Sequence, residues 1–137
     1  MHGVADVCLG NNAVVVAVKD EGIFLFDRRS TAVEALQDTT SLPVTHPLSV
    51  GILDQKLYVG TDDGYLVAID MNTHEGEILV AAVRKGKKSP FDDGLPVHIS
   101  AIFPDASRDR IVFVASVMEA KGDLGNGAVS DLCGKIE

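Results

Sequence analysis

The sequence predicts an all-β fold made of about three repeated units, each a meander of four short antiparallel strands. Segments of five to seven residues rich in Val, Ile, Leu, Phe and Tyr recur along the chain, and short polar turns separate them. A turn of the form Asp–acid–Gly occurs twice in the same strand–turn–strand setting, at Asp20-Glu21-Gly22 and Asp62-Asp63-Gly64. Helix signals are almost absent, so repetition of one small sheet is the simplest architecture.

The first unit is predicted to cover residues 4–36. The pattern of apolar runs and turns assigns its strands to Val4–Leu9, Ala13–Val18, Ile23–Asp27 and Ala32–Leu36. The segment Thr31–Gln37 is also compatible with one or two helical turns. Its β-branched neighbours and its alignment with the second unit favour a strand.

The second unit is predicted to cover residues 48–83, after a polar connector at Gln37–Pro47 that contains two prolines. It repeats the plan of the first unit. Its strands are expected at Leu48–Leu53, Lys56–Gly60, Tyr65–Asp70 and Glu77–Val83.

The third unit, residues 97–137, is less regular and is predicted to be incomplete. Two strands are clear, Val97–Phe103 and Arg110–Met118. A glycine-rich hairpin tip at Glu119–Gly127 and a third strand at Ala128–Cys133 follow. We expect residues 134–137 to begin a fourth strand that the chain does not finish.

The inner strands of the units are unbroken apolar runs, whereas a strand with one solvated face should alternate. Ala13–Val18 and Tyr65–Ile69 are apolar at nearly every position, which predicts burial on both faces. Four-stranded meanders stacked radially, as in a β-propeller, bury their middle strands in this way. Because propellers usually have four or more blades, three units predict part of a larger ring, completion by associating copies, or a different closure. An uncovered end face would be apolar and would favour self-association.

The stretch from Leu57 to Asp70, LYVGTDDGYLVAID, resembles a repeat of the quinoprotein-like β-propellers, and Val18–Asp27 is a fainter copy. It is also similar to WD-repeat-like blades and to the propeller repeats in sensor regions of two-component regulators. The resemblance covers the second unit well, the first moderately and the third poorly. It implies a fold shared by proteins of many functions.

In quinoprotein dehydrogenases this resemblance would imply pyrroloquinoline quinone and a calcium ion. The tryptophans that dock successive blades in that family have no counterpart here, because the chain contains no tryptophan. An adjacent Cys-Cys pair is also missing. We therefore expect no cofactor, and an enzyme fragment of this kind is only the alternative interpretation.

Six residues of the repeated turns are expected to be structural. The glycine of each turn suits a position with positive φ, and the first aspartate of each turn can accept backbone N–H bonds. A second aspartate closes the third strand of each unit and can cap the loop that follows. These residues are Asp20, Gly22, Asp27, Asp62, Gly64 and Asp70.

Charge and hydropathy exclude some classes of partner. Hydrophobic residues make up 46% of the 137-residue chain, and its formal net charge is −8. This acidity disfavours nucleic acid and anionic lipid, which both select a basic face. The longest apolar runs, such as Ala13–Val18, are too short for a membrane span. No secretory signal is visible, which slightly favours a cytoplasmic location.

Few side chains in the sequence have the spacing of a metal or catalytic site. The four histidines, at positions 2, 46, 74 and 98, lie far apart without ligand spacing, so no zinc site is expected. Asp105-x-Ser107-x-Asp109 resembles the opening of a calcium loop, but Arg110 stands where that loop needs glycine. Two cysteines, Cys8 and Cys133, are either separate thiols or a staple between the two ends of the chain.

Binding through loops is therefore the function that the sequence favours. The segment 84–88 is the only basic cluster, and two adjacent aspartates follow it in the same connector. We expect a non-enzymatic propeller segment that binds or scaffolds a protein, a ligand or the remaining blades. The ligand-sensing part of a signalling protein is a third interpretation. The candidate contact residues are Arg84, Lys85, Lys87, Lys88, Asp92 and Asp93.

Overall fold

A computed structural model describes residues 3–81, 97–118 and 129–136, with side chains described for 3–81 and 98–116. The described residues form three antiparallel sheets, and strand order follows chain order in each. The first sheet contains β1 (Val4–Leu9), β2 (Ala13–Val18), β3 (Gly22–Asp27) and β4 (Val33–Ala35). The second contains β5 (Pro47–Leu53), β6 (Lys56–Thr61), β7 (Tyr65–Asp70) and β8 (Gly76–Ala81). The third contains β9 (Val97–Asp105), β10 (Arg110–Met118) and β11 (Val129–Ile136).

The three sheets are stacked side by side, as blades of an incomplete β-propeller. Strand β1 packs against β5, and β5 packs against β9, so the first strands of the sheets lie next to one another. One apolar cluster fills the space between the first and second sheets, and another fills the space between the second and third. The predicted all-β fold of meander blades is confirmed.

The ends of two predicted strands need correction. Strand β4 stops at Ala35, and Leu36–Asp38 form a 3-10 turn closed by a hydrogen bond from the Thr39 N–H to the Leu36 carbonyl. Leu36 is almost completely buried in the core, which fixes this turn. The expected fourth strand of the third unit is wrong. Residues 134–136 belong to β11, because β10 is long enough to pair with them as far as Ile111.

Burial on two faces was predicted for β7 and for β2, and only β7 shows it fully. Leu66, Val67, Ala68 and Ile69 are all buried, because sheets lie on both sides of β7. In β2 only Val15 and Ala17 are buried, and the alternate residues are half-buried. Among the described residues, no sheet covers the outer face of the first sheet, so the expectation for β2 holds for one face alone.

Two glycines of the second sheet allow the third sheet to approach closely. A Cβ on Gly60 would lie 2.7 Å from the backbone oxygen of Ile99, and one on Gly51 would meet the Ile102 side chain. Beside Gly60, the Ser49 hydroxyl donates a hydrogen bond of 2.9 Å to the same Ile99 oxygen. The contact between the two sheets is therefore made in part by backbone.

Cys8 lies on the face of the first sheet that packs against the second, and it is a free thiol. Burial and the nearby Asp6 carboxylate raise the pKa of Cys8 to about 12. The backbone of Cys133 pairs with Val114 in the third sheet, and its side chain lies outside those described. The staple considered between Cys8 and Cys133 is not formed.

The structure describes no helix long and apolar enough to cross a membrane within residues 3–81, 97–118 and 129–136.

Candidate functional site

A cleft of about 550 Å³ opens between the first and second sheets, at the end where β1 runs into β2. Three turns that are far apart in sequence form its walls: residues 10–12, residues 54–55 and residues 71–72. Its lining combines four apolar side chains with four carboxamides and one carboxylate. The apolar lining residues are Leu9, Ala13, Ile52 and Met71, and the polar ones are Asn11, Asn12, Asp54, Gln55 and Asn72.

The wall from the second sheet is held by a two-residue hairpin turn. Asp54 and Gln55 both adopt left-handed backbone conformations, with φ of 53° and 67°, as the tightest hairpin connections require. This conformation lets the Gln55 carbonyl accept a hydrogen bond from the Met71 N–H at 3.0 Å. The Asn72 side-chain amide donates to Gln55 Oε1 at 2.8 Å, so the two turns form one unit.

The wall from the first sheet is fixed by Arg28, which follows β3. Its backbone N–H donates to the Asn12 carbonyl at 2.8 Å, and its Nη1 donates to the Gly10 carbonyl at 3.1 Å. Arg28 thus holds the β1–β2 turn from behind, while the side chains of Asn11 and Asn12 are exposed.

The chemistry of the cleft suits binding. Carboxamides offer both donors and acceptors, and the apolar lining residues can contact the hydrocarbon part of a ligand. Asp54 is the only ionisable side chain in the lining. No lining residue pairs a nucleophile with a base, which covalent catalysis requires. Within the described residues, no group of three or more His, Cys, Asp or Glu side chains could hold a metal ion.

The Asp–acid–Gly turns lie at the opposite end of the sheets. Gly22 and Gly64 have φ of 131° and 93°, as expected. We expected Asp20 and Asp62 to bond within their turns, but their side chains reach histidines of the following sheet. His46 Nδ1 lies 3.3 Å from Asp20 Oδ1, and His98 Nδ1 lies 2.6 Å from Asp62 Oδ1.

The two histidines occupy comparable places, because each stands at the beginning of the first strand of its sheet. His46 directly precedes β5, and His98 is the second residue of β9. Each junction between sheets therefore carries an aspartate from the preceding sheet and a histidine from the following one. The sequence did not predict this pairing of histidines with the turn aspartates. Their shared position at the start of each unit is the sequence signal that would have revealed this role.

A third histidine–carboxylate pair also links the first and second sheets. His74, in the loop after β7, places Nε2 3.7 Å from Glu34 Oε1 in β4. Its Nδ1 lies 2.9 Å from the Thr39 hydroxyl, which follows the 3-10 turn. All three histidines that the structure describes thus hold neighbouring sheets together.

The other aspartates cap turns. Asp27 Oδ1 accepts the Arg29 N–H at 2.8 Å, and Asp70 Oδ1 accepts the N–H groups of Asn72 and Thr73. These two backbone hydrogen bonds lower the pKa of Asp70.

The segment that resembled a calcium loop is an internally bonded turn. Asp105 accepts hydrogen bonds from the Ser107 hydroxyl at 2.8 Å and from Arg110 Nε at 3.0 Å. The hydroxyl, followed by the arginine, lowers the pKa of Asp105. Arg110, in the position where a calcium loop has glycine, therefore contributes the cation of this turn.

The predicted contact residues of the connector cannot be placed. Arg84, Lys85, Lys87, Lys88, Asp92 and Asp93 lie outside the described residues. None of these six residues is among those that line the cleft. The cleft itself was not predicted from the sequence.

Comparison with solved structures supports the propeller architecture. The extracellular domain of BT4673 from B. thetaiotaomicron, assigned to a hybrid two-component system, matches 93% of this chain and 16% of its own, with a TM-score of 0.64 at 14% identity. The N-terminal domain of Nup159, a β-propeller, matches 98% of this chain and 30% of its own, with a TM-score of 0.52 at 11% identity. The chain thus spans less than a third of either structure.

No protein-family model matches the chain, and a search of curated proteins found no match.

Proposed function

We propose that this chain is a non-enzymatic β-propeller segment that binds an extended peptide of a protein partner in the cleft between its first two sheets. The observation that carries the proposal is the cleft itself, whose lining combines carboxamides with apolar side chains. Carboxamides pair well with peptide groups, since each side offers one donor type and one acceptor type.

The charge of the chain narrows the class of peptide. Asp54 lines the cleft, and the whole chain has a formal net charge of −8. An acidic peptide would be repelled, whereas an uncharged or basic one would be favoured. The structural similarity to an extracellular sensor-system domain and to the Nup159 propeller supports the fold on which this proposal is built.

The test is an NMR titration with capped tripeptides, acetylated and amidated, with alanine, lysine or glutamate as the central residue. We expect amide shifts at Gly10, Gln55 and Asn72, with the order lysine, alanine, glutamate in affinity. Asn72→Ala should weaken binding by roughly 2- to 10-fold, the effect of one hydrogen bond. Thr45→Ala, an exposed change away from the cleft lining, is the matched control and should leave binding unchanged.

Four results would each contradict the proposal. Shifts confined to residues outside the cleft would place binding elsewhere, and so would equal affinity of Asn72→Ala and wild type. Absence of shifts with every peptide up to its solubility limit would exclude peptide binding in the cleft. Conversion of the peptide to a product would show an enzyme.

A further inference from the structure

His74 lies in the β7–β8 loop (residues 71–75), which supplies one wall of the cleft. Met71 and Asn72 of this loop line the cleft, and His74 follows two residues later. The loop is bound to its own sheet because the Met71 N–H and the Asn72 side-chain amide both donate to Gln55. Among the described residues, His74 is the residue of this loop that makes polar contacts with the first sheet and the 3-10 turn after it.

Both ring nitrogens of His74 face oxygen atoms. Nε2 lies 3.7 Å from Glu34 Oε1, and Nδ1 lies 2.9 Å from the hydroxyl oxygen of Thr39. The Thr39 hydroxyl donates its own proton to the Leu36 carbonyl at 3.1 Å. Since a hydroxyl has one proton, its oxygen must accept the bond from Nδ1 in this arrangement. A ring that donates through Nδ1 and faces a carboxylate with Nε2 has a proton on each nitrogen, so the contacts fit the cation.

The neutral ring can make only part of these contacts. With its proton on Nδ1, the lone pair of Nε2 faces the carboxylate of Glu34. With its proton on Nε2, the Thr39 hydroxyl has to turn toward Nδ1 and give up the Leu36 carbonyl. At 3.7 Å the contact with Glu34 is an ion pair and not a hydrogen bond, so a neutral ring loses most of its attraction. The contacts between the two sheets are therefore complete only when His74 is charged.

The charged groups around His74 leave it as the cation positioned for Glu34. The Asp70 carboxylate lies close enough to interact with charges on both Lys56 and His74. Lys56 is the only cation in this set and is placed beside Asp70. The ionisable side chains of the elements that His74 contacts or belongs to are Glu34 in β4, Asp38 in the 3-10 turn, Asp70 at the end of β7, Glu75 in the loop and Lys56 in β6.

We propose that His74 is a positioning residue of the cleft, and that its protonated ring clamps the β7–β8 loop to the first sheet so that the cleft binds a peptide more tightly at pH 5.5 than at pH 8. Histidine is the side chain that ordinarily changes its charge in this range of pH. The effect on binding rests on the function proposed for the cleft, whereas the clamp itself can be measured without a peptide.

The clamp is tested first, by urea unfolding of wild type, His74→Asn, Glu34→Gln and the double variant. Asparagine tolerates the left-handed backbone at position 74, where φ is 63°, and keeps a donor for Thr39 but cannot become charged. The coupling between the two positions should change the unfolding equilibrium about 2- to 5-fold at pH 5.5. It should vanish by pH 8, because the ion pair is present only while the ring is protonated and is lost as the pH rises.

The effect on the cleft is then measured with the capped alanine tripeptide, which has no group that titrates between pH 5.5 and pH 8. Wild type should bind it about 2- to 5-fold more tightly at pH 5.5 than at pH 8. His74→Asn and Glu34→Gln should each bind it equally at the two pH values. Circular dichroism checks that the variants are folded, and Glu34, whose side chain is 50% exposed, is the milder of the two changes.

His46→Gln is the matched control. His46 pairs with Asp20 at the opposite end of the junction between the same two sheets, away from the cleft lining. This variant should keep the dependence of peptide affinity on pH that wild type shows. A loss of that dependence in His46→Gln would overturn its assignment to His74.

The other outcomes separate the clamp from the function of the cleft. Absence of coupling at pH 5.5, or equal coupling at both pH values, would refute the clamp. The expected coupling, together with equal affinity of wild type for the peptide at both pH values, would refute the role of His74 in positioning the cleft. Absence of peptide binding at either pH, with the coupling intact, would refute the function proposed for the cleft and confirm the clamp as a contact between the sheets alone.

Discussion

The first and second sheets have the same four-strand plan but different surroundings. In the second sheet, both faces of β7 are buried, one against each neighbouring sheet. In the first sheet, β2 buries Val15 and Ala17 on one face and leaves Val14 and Val16 half-buried on the other. An unbroken apolar strand therefore predicts that a sheet packs on each of its faces. The first sheet has the composition expected for two neighbouring sheets, but among the described residues only one neighbouring sheet packs against it.

The largest expected effect comes from truncating an apolar side chain between the second and third sheets. Leu66 is fully buried, so Leu66→Ala should lower the free energy of unfolding by roughly 2–5 kcal/mol. Val7→Ala, at a position 49% exposed on the first sheet, should cost no more than about 0.5 kcal/mol in the dilute monomer. Urea unfolding measures both. Equal costs would show that the two sheets are not differently buried.

A smaller effect is expected from filling the close approach between the second and third sheets. Gly60→Ala introduces a methyl group against the backbone oxygen of Ile99, and the overpacking should cost about 1–3 kcal/mol. In the first sheet's edge, Gly3 has no atom within 4 Å of an added Cβ, so Gly3→Ala is the control. Thermal unfolding compares them. A stable Gly60→Ala protein would contradict the backbone contact.

The aspartate–histidine pairs at the two junctions differ in length and in exposure. The Asp62–His98 pair is shorter and less exposed than the Asp20–His46 pair. We expect a double-mutant cycle with Asp62→Asn and His98→Gln to give a coupling near 1 kcal/mol. The matching cycle with Asp20→Asn and His46→Gln should give less than about 0.5 kcal/mol. A reversed order of the two couplings would refute this assignment.

The smallest effect is a dependence on pH through Asp70. Hydrogen bonds from the Asn72 and Thr73 N–H groups lower the pKa of Asp70, so its carboxylate stabilises the folded state above its ordinary pKa of 3.8. That stabilisation is lost as the pH falls through the lowered pKa of the folded state. The stability difference between wild type and Asp70→Asn in urea should therefore shrink between about pH 5 and pH 2. A constant difference would exclude this role.

Most of the fold is predictable because each strand is specified locally by its apolar run and its flanking turns. Strands β1 and β2 have the predicted bounds, and β7 also agrees. The predicted bounds are wrong where contacts between residues distant in sequence determine the local structure. Leu36 joins a 3-10 turn because the core takes its side chain, and the Gln37 side chain accepts the N–H of Ile23 beyond Gly22. The length of β11 depends on β10, with which it pairs.

The cleft was not predictable from local patterns. Asn12, Gln55 and Asn72 belong to three turns that become neighbours only after two sheets pack together. The predicted strand bounds imply a turn at each of these places, but no spacing in the sequence shows that their side chains line one cleft. The junctions are different, because the position of histidine at the start of each unit and of aspartate in each turn is visible in the sequence.

The junctions between sheets have a consequence for how the number of sheets in such a chain can change. Each boundary uses one aspartate from the unit before and one histidine from the unit after, together with an apolar contact. A duplicated unit would already contain the histidine for the junction before it and the aspartate for the junction after it. Gene duplication could therefore add or delete a whole blade without inventing new contacts, and descendants of one ancestor could differ in blade number while every boundary stayed the same.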